Sequence, residues 1–97
     1  MPTYITLGNY TQHGIENMKD SPARLEAAKE VTESFGGEYH SFFLTLGQYD
    51  LVFIADFPDD ESAAKAMLTV AGSGAVQTET LKAFTEDEYR DVIAGLD

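Results

Sequence analysis

The chain has no cysteine among its 97 residues. This absence excludes disulfide bonds, zinc sites built from thiolates, and a cysteine nucleophile. No apolar run approaches the roughly 20 residues that a helix needs to cross a bilayer, and the N-terminus does not resemble a signal peptide. We therefore expect a cytoplasmic protein that does not associate with membranes.

Basic residues are scarce as well, with six lysines and arginines against 17 acidic residues and a formal net charge of −11. A field of this sign opposes binding to nucleic acid, so we expect no nucleic-acid partner. The acidity is compatible with ordinary solubility, with cationic ligands, or with a salty habitat that screens self-repulsion. Two acidic runs, at residues 59–61 and 86–88, precede predicted helices, where the helix dipole favours them.

The small size of the chain also limits its architecture. With 43% hydrophobic residues, residues 1–97 are expected to form a single domain, because there is too little chain for a second core. A domain of this size buries only about two thirds of its unfolded surface. Association with further copies is therefore a natural way for it to gain stability.

Residue periodicity predicts a βαββαβ order with an additional C-terminal helix. Alternating apolar and polar side chains predict strands at residues 4–7, 39–46, 51–57 and 76–84. Capping residues predict helices that begin with Ser21 as N-cap before Pro22, with Asp59 as N-cap, and with Thr85 in a capping box. Two crossovers of this kind place both main helices on one face of an antiparallel sheet. The fold class is therefore α+β, a ferredoxin-like sandwich.

A hairpin signature in residues 44–52 connects the second and third strands. Gly47 is expected to supply a positive φ in this turn. An even-length turn leaves the faces of the two strands unchanged, which divides the sheet residues into two sets. The helix-covered set is predicted to contain His40, Phe42, Leu44, Leu46, Tyr49, Leu51, Phe53, Ala55 and Phe57, with Ile5 and Leu7 from the first strand. The opposite set is predicted to contain Tyr39, Ser41, Phe43, Asp50, Val52, Ile54 and Asp56, with Tyr4 and Thr6.

This second set is too apolar to face water, because Phe43, Val52 and Ile54 would form an exposed patch. Two copies that press such faces together would form a barrel with a partly polar interior. We therefore expect a homodimer or a higher homo-oligomer. The pattern of the fourth strand does not decide which of its side chains join this face.

The segment Thr45-Leu46-Gly47-Gln48-Tyr49-Asp50 resembles the Gly-x-Tyr-Asp hairpin for which the GYD-domain family is named. Residues 4–7, 19–22 and 80–89 are similar to the same family, so the resemblance covers nearly the whole chain. It implies a dimeric α/β barrel. The family has no agreed biochemical function, so the resemblance transfers no catalytic role. Its likeness in fold to cofactor-independent monooxygenases, ligand-sensing domains and small decarboxylases is analogy, because fold does not determine function.

Asp50 is the candidate catalytic residue, because a carboxylate enclosed by apolar side chains can act as a general acid or base. The alternative is that Asp50 accepts backbone N–H groups in the turn. Asp56 is interpreted as a strand-end cap and His40 as a hydrogen-bonded structural residue. No metal-binding motif and no cofactor site are predicted. The candidate ligand-binding residues share the mixed face: Tyr4, Tyr39, Ser41, Phe43 and Asp50.

Two functions follow from these patterns. The first is a homo-oligomeric barrel module that binds a small molecule between its sheet faces. The second is a cofactor-independent enzyme, similar to a monooxygenase, decarboxylase or isomerase, acting on a small apolar or aromatic substrate with Asp50 as acid or base. The sequence names neither the ligand nor a reaction.

Overall fold

A computed structural model describes residues 1–96 of the chain. The predicted order of elements is confirmed, and neighbouring strands pair antiparallel in the order β2-β3-β1-β4. This is the expected ferredoxin-like α+β arrangement. The elements are β1 (Thr3–Tyr10), α1 (Gln12–Glu16), a 3₁₀ turn (Met18–Asp20), α2 (Ser21–Ser34), β2 (Glu38–Leu44), β3 (Leu51–Asp56), α3 (Asp60–Ala71), β4 (Val76–Ala83) and α4 (Glu86–Ala94).

Helix starts follow the predicted capping residues in two of three cases. The side chain of Asp59 accepts a hydrogen bond from the Ser62 amide at 2.8 Å, which begins α3. Thr85 and Glu88 exchange hydrogen bonds in a complete capping box, which begins α4. The prediction for α2 is wrong by one residue, because Ser21 is already helical and the preceding Asp20 makes no capping bond through its side chain.

The core lies between the sheet and the two helices α2 and α3. Its largest fully buried apolar side chain is Phe57, which meets Tyr4 edge-on with ring centroids 5.8 Å apart. The ring of Tyr39 packs on Phe53 at 5.3 Å. Small residues of α3 allow the helix to approach the sheet closely. The buried cluster consists of Tyr4, Phe53, Ala55, Phe57, Ala63 and Ala66.

The predicted faces of β1 are wrong. Tyr4 pairs with Ala55 and Thr6 with Phe53, so both lie under the helices, while Ile5 pairs with Ile54 on the opposite side. The polar atoms of the buried pair are satisfied: the Tyr4 hydroxyl donates to Asp60, and Thr6 shares a 3.0 Å hydrogen bond with Thr80. Satisfied hydroxyls make burial of Tyr and Thr tolerable, and this allows the more apolar Ile5 and Leu7 to face away from the helices.

A bulge in β2 overturns part of the predicted pattern there. Tyr39 pairs with Ala55, but Ser41 pairs with Ile54, so His40 is an extra residue between them. An extra residue reverses the alternation of side chains. Tyr39 is therefore on the helix-covered face and His40 is not, contrary to prediction for both. Beyond the bulge, Phe43 pairs with Val52, and its predicted face is confirmed.

The hairpin closes as expected around Gly47. The strand β2 ends at Leu44, two residues earlier than predicted, and the Thr45 amide donates to the Asp50 carbonyl at 2.8 Å. Gly47 has φ +147°, which confirms the predicted positive φ, a conformation that favours glycine. The loop between these strands is thus short and internally bonded.

Among residues 1–96, the main helices α2 and α3 both pack on one side of the sheet; we call the side that they leave uncovered the open face. The register of β4 settles the orientation that the sequence left undecided, because Leu81 pairs with Ile5 and Glu79 with Leu7. No helix in residues 1–96 is long and apolar enough to cross a membrane. The open face includes Thr3, Ile5, Leu7, Glu38, Ser41, Phe43, Val52, Ile54, Asp56, Glu79, Leu81 and Ala83.

Candidate functional site

The predicted ligand-binding residues do not form one site. Ser41 and Phe43 lie on the open face, as predicted. Tyr4 and Tyr39 are packed into the core on the other side of the sheet, so their predicted position on the mixed face is wrong. The structure therefore separates these four side chains into two pairs that the sheet keeps apart.

Asp50 lies at the end of the hairpin and extends the pairing between β3 and β1. Its backbone amide donates to the Gly8 carbonyl at 2.9 Å, and its side-chain Oδ2 accepts from the Tyr10 amide at 3.0 Å. The carboxylate thus accepts a backbone N–H, although from β1 instead of the turn. Its role as a general acid or base stays a prediction, and its observed contact is a structural one.

Tyr4 has a strongly perturbed hydroxyl on the helix-covered side. Burial, together with a hydrogen bond to the Asp60 carboxylate, raises the pKa of Tyr4 to about 12. The neutral phenol is favoured because a phenolate there would be both desolvated and next to a negative charge. Tyr4 therefore acts as a hydrogen-bond donor that ties β1 to the start of α3.

At one end of the open face, the structure brings together three polar side chains that sequence reasoning did not connect. His40 Nε2 lies 2.9 Å from Asp56 Oδ2, and Thr3 Oγ1 donates to Asp56 Oδ1 at 2.7 Å. Partial burial raises the pKa of Asp56, but the bonds from Thr3 and His40 outweigh it and leave that pKa below its usual value. The bulge creates this contact because the extra residue turns His40 away from the helices. A sequence pattern of strict alternation does not reveal this placement.

Tyr49 is not the core aromatic that the pattern predicted. Its hydroxyl donates to Glu79 Oε2 at 2.6 Å, which joins the hairpin to β4 across the sheet. The hydrogen bond to the Glu79 carboxylate raises the pKa of Tyr49 above its usual value. As a result, two carboxylates of the open face, Asp56 and Glu79, have a polar partner within the chain.

Exposed apolar side chains occur both on the open face and in the C-terminal region that contains α4. Phe43 is 55% exposed and Leu81 is 45% exposed. The helix α4 has no buried residue, yet its apolar side chains recur at helical spacing on one side. The exposed apolar residues of this C-terminal region are Phe84, Tyr89, Val92, Ile93 and Leu96.

On the other side of the sheet, α2 and α3 leave a cavity of about 170 Å³ between them. We call it the interhelical cavity. Its wall is mainly apolar, with Phe42 and Phe53 from the sheet and Met67 from α3. Arg24 supplies its cationic side chain, and Tyr10 and Ser21 supply hydroxyl groups. No sequence pattern indicated this space, because it depends on how far apart the helices lie.

Within residues 1–96, no group of three or more acidic, histidine or cysteine side chains is arranged to hold a metal ion. The His40–Asp56 pair provides a base and a carboxylate, but only two such groups. Structural metal sites usually require four ligands. The observed polar chemistry of this pair is hydrogen bonding.

Comparison with known proteins places these features in a family. The model of the GYD domain family matches residues 4–93. This chain belongs to the GYD domain family. A curated relative from Thermus thermophilus is 37% identical over 97 residues, covering 99% of each chain. That relative is named "Glutamine synthetase and cystathionine beta-lyase binding protein".

Two solved structures share the fold of this GYD chain. A feast or famine regulatory protein from M. tuberculosis, complexed with L-methionine, has a TM-score of 0.67 at 14% identity. The match covers 88% of the GYD chain but only 51% of the regulator, about half of its length. The protein TTHA0845 from Thermus thermophilus has a TM-score of 0.55 at 24% identity, covering 88% and 95% of the two chains. These likenesses support the ferredoxin-like architecture.

Proposed function

We propose that this GYD protein is a homo-oligomeric binding protein whose subunits pair through their open faces and whose assembled form binds a metabolic enzyme. The observation that carries the proposal is the apolar surface formed by the open face together with α4. Phe43 and Leu81 remain about half exposed in the isolated chain, and large contiguous apolar surfaces of this kind mark interaction sites.

A second copy suits this face because two of its carboxylates, Asp56 and Glu79, are already hydrogen-bonded within the chain, while Glu38 lies at the exposed start of the edge strand β2. Asp56 is bonded to His40 and Thr3, and Glu79 to Tyr49. Burying a charged group away from water costs free energy unless the group is already hydrogen-bonded. The pairing of both carboxylates within the chain lowers the cost of burying this face against its own copy.

The shape of the chain also supports pairing. Its Cα radius of gyration is 14.5 Å, against about 12.5 Å for a compact chain of this length. None of the residues of α4 is buried, so this helix lies outside the compact core. An exposed amphipathic helix stays folded best when its apolar side is covered, and the neighbouring subunit would cover it.

Self-association is tested by multi-angle light scattering across a dilution series. Leu81→Glu places a charge on the open face and is expected to shift the particle mass towards the monomer. Leu68→Glu is the matched control, because Leu68 is 74% exposed on α3, on the other side of the sheet. A wild-type chain that is monomeric at high concentration, or an equal effect of both substitutions, would contradict the proposal.

The enzyme partner is proposed from the 37% identical relative, which is named for its binding to two enzymes of amino-acid metabolism. The test is biolayer interferometry with purified glutamine synthetase and cystathionine beta-lyase from the same organism as this chain. We expect saturable binding of at least one of them. If neither binds while light scattering still shows a dimer, the enzyme-binding half of the proposal is refuted and the pairing of open faces stands.

The small-molecule site between paired sheet faces stays a prediction of this arrangement, with Ser41 and Phe43 as the candidate residues that lie on the open face. The enzyme alternative also stays a prediction. The Asp50 carboxylate gives it little support, since that carboxylate accepts the Tyr10 amide.

A further inference from the structure

We propose that the interhelical cavity binds a small carboxylate with an apolar body, and that Arg24 receives the carboxylate group. This site is on the helix-covered side of the sheet, so it is separate from the pairing of open faces. The volume of about 170 Å³ is close to that of an engineered apolar cavity of about 150 Å³ that binds benzene. The ligand is therefore limited to roughly the size of one aromatic ring or a short branched alkyl chain.

The positive charge of Arg24 indicates that the ligand carries a negative charge. Its guanidinium donates to the Asn17 carbonyl at 2.9 Å and to the Gly14 carbonyl at 3.4 Å. These bonds hold the group in place without neutralising it. In a chain with 17 acidic residues, Arg24 forms no ion pair with any carboxylate among residues 1–96. A guanidinium has five N–H groups in a planar arrangement that matches a carboxylate, so donors remain for one.

Three polar residues that line the cavity, Tyr10, Ser21 and Arg24, lie together. Ser21 and Arg24 are three residues apart on α2, which places them on the same side of the helix. The Tyr10 hydroxyl lies 3.4 Å from Ser21 Oγ. The remainder of the wall is mainly apolar, with Phe42 and Phe53, although its lining also includes Thr6, Thr69, Ser73 and Thr78. A ligand with one anionic end and one apolar end fits this division, with its carboxylate near the start of α2.

The volume of the cavity and the charge of Arg24 together indicate the class of ligand. A purely apolar ligand would leave the Arg24 charge without a counter-ion, and a larger polyanion would exceed the volume. The strongly negative field of the whole chain opposes anions at long range, so binding requires the local contact with Arg24. Aromatic and short branched-chain carboxylic acids have the required size and charge.

The experiment is an NMR titration of the wild-type protein with benzoate, followed through backbone amide shifts. Benzyl alcohol serves as the neutral ligand of similar shape. We expect benzoate to bind with a dissociation constant below about 10 mM, a range typical of ligands this small, and at least about tenfold more tightly than benzyl alcohol. The largest shifts should fall on residues 21–31 and 67–76 and not on the open face.

Two variants test the roles of charge and space. Arg24→Gln should remove the preference for benzoate while benzyl alcohol still binds, an outcome that general damage to the fold would not produce. Val70→Phe should fill the cavity and abolish binding of both ligands, and Leu68→Phe on the exposed side of α3 is its control. Leu81→Glu should leave benzoate binding unchanged, which separates this proposal from subunit pairing.

Specific results would overturn the inference. These are equal affinity for the two ligands, a preference for benzoate that survives Arg24→Gln, undiminished binding in Val70→Phe, or shifts that map to the open face. Absence of saturable benzoate binding below about 10 mM would overturn it as well.

Discussion

On the helix-covered face of the sheet, Phe53, Ala55 and Phe57 are buried within a single chain. On the open face, Phe43 and Leu81 are of similar character but about half exposed. The difference arises from coverage and not from composition, because α2 and α3 both pack on the same side. Burial of the first face therefore stabilises the subunit itself. The apolar side chains of the second face remain available for contact with another surface.

The largest expected difference between the faces concerns two phenylalanines. Phe57→Ala should lower the free energy of unfolding by about 3–5 kcal/mol, because it empties a fully buried position. Phe43→Ala should cost less than about 1 kcal/mol in dilute, monomeric protein, and more as the concentration rises and subunits pair. Urea denaturation at several protein concentrations measures both. Equal losses in dilute protein would show that the two faces do not differ in this way.

The next effect concerns the Tyr4 hydroxyl. Tyr4→Phe should lower the free energy of unfolding by about 1–2 kcal/mol at neutral pH, because the bond to Asp60 is lost. The folded-state pKa of about 12 lies above the unfolded value of 10.0. The contribution is therefore complete below pH 10 and is lost as the pH rises through about 12. Denaturation between pH 8 and 12 should show a smaller alkaline loss in the variant.

A control for that measurement is Tyr49→Phe, because the pKa of Tyr49 is also raised, by its hydrogen bond to Glu79. This variant should remove only the part of the alkaline loss of stability that is due to Tyr49. The part that is due to Tyr4 should remain. An alkaline loss that is unchanged in Tyr4→Phe would contradict the assignment.

A smaller effect is expected on the open face at acid pH. Asp56→Asn should cost about 1 kcal/mol at neutral pH through its bonds to Thr3 and His40. The pKa of Asp56 is lowered in the folded state from 3.8, so its contribution is present above pH 4 and lost as the pH falls through the folded-state pKa. Acid denaturation curves of the variant and of wild type give this difference.

The pKa values of Asp59 and Glu88 are also lowered, by backbone hydrogen bonds at helix starts. Acid sensitivity will therefore persist in Asp56→Asn. Asp59→Asn keeps a good N-cap while removing a titrating group on the helix-covered side. Only the Asp56 variant should also weaken subunit pairing, and equal pairing in both variants would argue that Asp56 lies outside the interface.

The smallest effect is expected at Asp50. Asp50→Asn retains an oxygen that can accept the Tyr10 amide, so the free energy of unfolding should fall by less than about 1 kcal/mol. Asp50→Ala should cost about 1 kcal/mol, because the amide loses its acceptor. Thermal unfolding monitored by circular dichroism would measure both. A large loss in Asp50→Asn would mean that the charge itself matters at this position.

Features determined by nearby residues were predictable from the sequence. The caps at Asp59 and Thr85 each depend on a side chain and an amide three residues later. The positive φ of Gly47 follows from the hairpin signature. Element order then limits the topology to few choices, so the ferredoxin-like arrangement follows from local patterns.

Features that depend on distant pairing were not predictable in the same way. Which side of β1 faces the helices depends on its register with β3, and burial of the Tyr4 and Thr6 hydroxyls depends on hydrogen bonds with Asp60 and Thr80. The His40–Asp56 contact depends on the bulge. The interhelical cavity depends on the spacing of two helices, which has no signature in either helix alone.

The bulge at His40 affects the edge of the sheet at which a strand from another copy could add. The strand β2 is an edge of the sheet, and a regular edge strand is a template to which another strand can add without limit. The extra residue interrupts the regular hydrogen-bonding pattern of that edge between Tyr39 and Ser41. Strand addition at β2 is thereby discouraged, whereas the opposite edge strand, β4, pairs with β1 without a register shift, so the two edges of the sheet differ in how readily they accept a further strand.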